Sequence, residues 1–124
     1  MDALENLDVW KRSCCLSVEL YKLLSDCRDF GFRDQVTRSA LSVPSNIAEG
    51  YERDSSKEFS RFLKIAKGSC GELRTQLYIG TAAGFIEAGF IEKAKVLQMI
   101  QEVAEISRML QGLIKRYESL HLQN

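Results

Sequence analysis

A chain of 124 residues has the length of one domain and can bury a core without disulfides or metals. Its 45% hydrophobic and 27% charged residues are globular values, and 17 Lys+Arg balance 17 Asp+Glu, which excludes a global electrostatic pull toward nucleic acid. No apolar run approaches the roughly 20 residues that cross a bilayer. "MDALENLDVWKRS" has acidic residues and no apolar h-region, so the expected compartment is the cytoplasm.

Helix 1 is expected near 6–27, with Trp10, Cys14, Tyr21 and Leu24 on one row and Leu16, Leu20, Leu23 and Cys27 on the next. "RDFGF" follows, where Gly31 is expected to supply a turn. Helix 2 carries Val36, Ala40, Val43, Ile47 and Gly50 at three-four spacing straight through Pro44, the only proline. A proline inside a helix removes a backbone hydrogen bond and costs about 3 kcal/mol, so a helix kinked at Pro44 is expected. Ser39 and Ser42 are candidates to bond the backbone groups that the ring disturbs. Ser55 and Glu58 fit a capping box opening helix 3, whose apolar face is Phe59, Phe62, Leu63, Ala66, Cys70, Leu73 and Leu77. Gly84 is its expected C-cap. Helix 4, about 89–120, has the heptad seam Val96, Met99, Val103, Ile106, Leu110, Leu113, Tyr117 and Leu120, widened by Ile100, Ala104 and Ile114. Four amphipathic helices with short connections predict an all-α, antiparallel up-down-up-down four-helix bundle spanning 1–124 as a single domain.

The four cysteines, at 14, 15, 27 and 70, form no Cys-x-x-Cys pair, and His121 is the only histidine. No metal or cofactor is expected, and the thiols read as reduced, buried, small apolar groups. Helix 3 is different. Lys57, Arg61, Lys64, Lys67 and Arg74 fall in one sector opposite its apolar face, and only Glu58 and Glu72 are acidic between Ser55 and Gly84. That sector is either a phosphate-contacting surface or an ordinary solvated face. Gly68, Gly71, Thr75 and Ala82 form a strip of small residues on the same side, which suggests the close approach of another subunit. Ser45, Asn46 and Glu49 lack a neighbouring base to activate a serine, and no catalytic residue is assigned. Asn46, Glu49 and Glu72 would make an enzyme only if they converged in an open cleft.

The stretch "RSALSVPSNIAEGYERDSSKEFSRFLKIAKGSCGELRTQLYIG" resembles the signature of the bacterial four-helix bundle family named after the 23S rRNA intervening sequence. The matching positions are Arg38, Ala40, Ser42, Val43, Pro44, Asn46, Ile47, Ala48, Glu49, Gly50 and Arg53. They continue through Phe62, Leu63, Ile65, Ala66, Gly68, Ser69, Glu72, Leu73, Gln76 and Leu77. "LDVWKRS" is similar to the family's start, and the likeness covers nearly the whole chain. The resemblance implies a ring-like homopentamer with no transferable enzymatic reaction, some relatives being encoded within an insertion in the large-subunit rRNA gene. It also implies kinship to the accessory protein of diversity-generating retroelements, a strongly basic branch from which this neutral chain departs. Arg38, Pro44, Asn46, Glu49, Gly50, Arg53, Ser69 and Glu72 read as structural members of the signature. The leading expectation is therefore a non-enzymatic oligomeric adaptor that contacts RNA or a nucleic-acid enzyme through the basic sector. The alternative is a structural or protein-interaction module with no nucleic-acid role. No membrane partner or small-molecule substrate is expected.

Overall fold

The computed structural model describes residues 4–84 and 93–123. A 3-10 turn at Leu4–Asn6 precedes four helices: α1 (Asp8–Leu23), α2 (Phe30–Glu52), α3 (Ser56–Ala83) and α4 (Lys93–Gln123). No strand occurs among the described residues. Each helix packs on the next in sequence, and α1 also meets α4. Ser42 meets Ser69, Gly50 faces Phe62 and Gly80 faces Phe32, so α2 and α3 run antiparallel. Lys67 pairs with Gln111 and Lys64 with Glu118, so α3 and α4 do too. The expected four-helix bundle is the fold.

The core is built where three-four spacing put it. Val36, Ala40, Val43, Ile47 and Gly50 of α2 and Phe59, Phe62, Leu63, Ala66, Cys70, Leu73 and Leu77 of α3 are all buried. On α4, Val96, Met99, Ile100, Val103, Ile106, Leu110 and Ile114 are buried, while Leu120 emerges into solvent. The seam outlives its partners there: α1 has 16 residues against 31 in α4, so α1 spans only about 24 Å of the bundle.

Several local expectations need correction. The core row of α1 is Val9, Ser13, Leu16, Leu20 and Leu24, which leaves Trp10 and Cys14 half-buried at its edge and Tyr21 exposed. Helix α1 also stops at Leu23: the Leu24 amide makes the last helical bond, to the Leu20 carbonyl, and the Ser25 and Cys27 amides bond back three residues in turns. Gly31 makes no turn. It lies inside α2, and the carboxylate of Asp29, the N-cap, accepts from the Phe32 amide at 3.0 Å. Of the cysteines, Cys70 alone is fully buried and Cys15 is exposed, and none of the four is in a disulfide. One residue of helical advance, about 100°, turns Cys15 away from the wall that Leu16 faces. Residues 89–92 of expected helix 4 lie outside the described residues.

The helix termini of α3 follow the sequence. Ser55 Oγ accepts from the Glu58 amide at 3.2 Å, and Gly84 caps the far end at φ 78°, the left-handed region where a Cβ is strained. Helix α2 is unbroken across Pro44, which cannot donate to the Ala40 carbonyl one turn back. That carbonyl is not orphaned. Ser17 Oγ of α1 donates to it at 2.9 Å in a buried contact. The rescue expected of Ser39 and Ser42 thus comes from a neighbouring helix. Ser42 instead bonds Ser69 at 2.8 Å across the α2/α3 seam.

Candidate functional site: the outward face of α3

Helix α3 packs on α2 along one edge and on α4 along the other, so the side opposite its apolar face looks outward. That face changes character along its length. From Lys57 to Lys67 it is cationic. From Gly68 to Ala82 small residues run along its middle, with Glu72 and Arg74 exposed at its edges, and a Cβ added at Gly68 or Gly71 would meet nothing within 4 Å. Thr75 and Ala82 are exposed, Thr75 bonding only the Gly71 carbonyl of its own helix at 2.8 Å. Ile79 and Tyr78 beside them are 54% and 56% exposed, and Ile65 is 41% exposed. No helix of the same chain covers the strip among the described residues.

The cations are less free than the sequence of α3 alone suggests. Arg61 Nε donates to Glu58 at 2.9 Å. Lys64 reaches Glu118 of α4 at 3.0 Å, and Lys67 donates to Gln111 Oε1 at 2.5 Å. Lys57 and Arg74 have no such partner among the described residues. Glu118 and Gln111 escaped sequence reasoning because they belong to another helix, 44 or more residues away. Arg61 and Arg53 also lie over the Phe62 ring at 4.5 and 5.1 Å. Glu58 sits between both guanidiniums, and its hydrogen bond from Arg61 holds its carboxyl below the usual carboxylate range.

Of the signature residues, Asn46, Gly50 and Ser69 line the neighbouring α2/α3 seam. Asn46 Nδ2 donates to the Ser42 carbonyl at 2.8 Å and to Ser42 Oγ at 2.9 Å, joining the Ser42–Ser69 contact into one polar network. Glu49 is paired with Arg53 at 2.8 Å, a bond that raises the Arg53 pKa. Gly50 permits the close crossing: a Cβ there would lie 2.6 Å from Phe62 Cβ. Pro44 is buried on the α1 side, and Arg38 and Glu72 are exposed. Gln76 Oε1 is buried with no partner among the described residues. Asn46, Glu49 and Glu72 do not converge. Gly50 puts Glu49 level with Phe62, ten residues from Glu72, which is about 15 Å along α3. No cluster of three His, Cys, Asp or Glu side chains fit for a metal occurs among the described residues, and no helix among them is long and apolar enough to cross a membrane.

The α1/α4 side carries its own polar closure. Arg12 forks onto Glu102, with Nε donating at 2.9 Å, and its Nη1 lies 3.3 Å from Met109 Sδ. The Glu102 hydrogen bond raises the Arg12 pKa.

Comparison with known proteins agrees with this architecture. The chain is similar to a protein of unknown function from the S23 ribosomal protein family of Bacteroides thetaiotaomicron VPI-5482, whose crystal structure was determined at 1.70 Å resolution. The two share 25% identity at a TM-score of 0.73, over 86% of this chain and 98% of that one. No match was found among curated proteins. The family model described as 23S rRNA-intervening sequence protein matches residues 5–112. The chain belongs to the 23S rRNA-intervening sequence protein family.

Proposed function

We propose that this protein is a non-enzymatic, self-associating adaptor that meets its partners through the outward face of α3. The observation that carries the reading is the division of that one face. Gly68, Gly71, Thr75 and Ala82 form an uncovered strip flanked by exposed Tyr78 and Ile79, the composition that lets a second helix pack closely. Lys57, Arg61, Lys64 and Lys67 continue it as a cationic surface, with Arg74 at its edge, suited to nucleic-acid phosphates. By resemblance the assembly is a homopentamer, and the cytoplasm is the compartment proposed from the N-terminal sequence. The separation of Asn46, Glu49 and Glu72 supports the absence of catalysis.

A labelled single-stranded RNA oligonucleotide titrated at two salt concentrations tests the nucleic-acid half. Affinity is expected to fall with salt and to weaken further in Arg61→Glu/Lys64→Glu. Binding unchanged by that double reversal removes the cationic surface from the account. A second reading, a protein-interaction module without nucleic acid, is favoured by the pairing of Arg61 with Glu58 and Lys64 with Glu118. Under it, partners recovered in a pull-down persist after nuclease treatment.

A further inference from the structure

Between α3 and α4 lies an open groove of about 360 Å³, lined by Lys64, Lys67, Gly68, Gln111, Ile114 and Glu118. Its donors come from both helices. Lys64 spends one N–H on Glu118 and Lys67 one on Gln111 Oε1, which leaves each ammonium two more. Because Gln111 Oε1 accepts from Lys67, the amide nitrogen is the end left to donate. Lys115 is exposed one turn beyond Gln111 on the same side of α4. Gly68 adds no side chain, and the space above it is open, so a ligand can approach the α3 backbone there. Against these donors stands a single carboxylate, Glu118. The groove therefore complements an oxyanion, and Glu118 already places one on Lys64.

We propose that this groove seats one phosphate of a single-stranded nucleic-acid segment. Lys64, Lys67 and Gln111 donate to its oxygens, and Glu118 is the built-in competitor that the phosphate displaces from Lys64. The proposal rests on the nucleic-acid half of the reading above and narrows it to one place. A strand fits better than an isolated phosphate ester because the groove is open and has Lys57 and Arg61 of α3 in line on one side and Arg74 on the other. A lone phosphate would use none of the three.

The test is fluorescence-anisotropy titration of the full chain with a single-stranded RNA oligonucleotide, with adenosine monophosphate as a second arm. Gly68→Leu fills the groove without changing charge and is expected to weaken RNA binding about ten-fold, with Gln111→Leu acting in the same direction. Glu118→Gln frees Lys64 and is expected to tighten binding several-fold. Gln111→Leu lies on α4, away from the small-residue strip, so it separates groove filling from any effect of Gly68→Leu on assembly. RNA affinity that survives both leucine variants but is lost in Arg61→Glu overturns the groove and leaves the cationic face standing. Absence of binding by the unmodified chain at low salt overturns both. Adenosine monophosphate bound as tightly as the oligonucleotide overturns the strand as occupant.

Discussion

Pro44 shows how a single residue is accommodated. The proline removes the amide that would bond the Ala40 carbonyl, and the Ser17 hydroxyl replaces it from across the α1/α2 contact. Ser17→Ala leaves that buried carbonyl without a partner, at an expected cost of about 1–3 kcal/mol. Pro44→Ala restores the missing amide, so in that background the cost of Ser17→Ala is expected to drop sharply. A double-mutant cycle by urea unfolding reads this coupling directly. Equal costs in both backgrounds would separate Ser17 from the proline. The three-four spacing of Val36, Ala40, Val43 and Ile47 already announced one continuous helix. It could not name Ser17, because the rescuing hydroxyl is 23 residues away and belongs to another element. The same limit hid Glu118 from the charge count along α3.

At the scale of elements, the α2–α3 junction is held by local signals that the sequence states openly. Ser55 caps α3, and Glu58 three residues later sits between Arg53 and Arg61. What the sequence concealed was the second half of the capping box. The Glu58 carboxylate pairs with the two arginines, and Arg53 reaches back to Glu49 as well. Because the folded pKa of Glu58 is lowered from its ordinary value of 4.5, its stabilising contribution is present above the unfolded pKa. It is lost as pH falls through the depressed folded value. Thermal melts are therefore expected to lose stability in the acid range below about pH 4.5 less steeply in Glu58→Gln than in the unmodified chain. Parallel profiles for the two proteins would show that the carboxylate contributes nothing to the junction. Gly31 illustrates the opposite case. A glycine before a helix invites a turn assignment, yet Asp29 supplies the cap and Gly31 simply starts the helix, with no positive φ.

At the scale of the whole molecule, the bundle was legible because Val36, Ala40, Val43 and Ile47 of α2 and Phe59, Phe62, Leu63, Ala66, Cys70, Leu73 and Leu77 of α3 keep phase with one core. The outward face of α3 was legible only as composition. The sequence placed five cations and four small residues on one side; the fold showed that α4 neutralises part of the first group and that nothing in the chain covers the second among the described residues. An uncovered strip of glycine, threonine and alanine beside exposed Tyr78 and Ile79 on a chain of 14.1 kDa is the feature on which the proposed self-association rests. Gly71 is the most informative position. Its added side chain meets only open space in the isolated chain, and leucine is a better helix former than glycine by about 1 kcal/mol, so Gly71→Leu is expected to fold. The most direct measurement is the mass in solution of the unmodified chain and of Gly71→Leu by light scattering after size exclusion. The account predicts a closed assembly of five chains of 14.1 kDa for the first and a dissociated particle for the second. A monomeric unmodified chain, or an unchanged mass in Gly71→Leu, would contradict it.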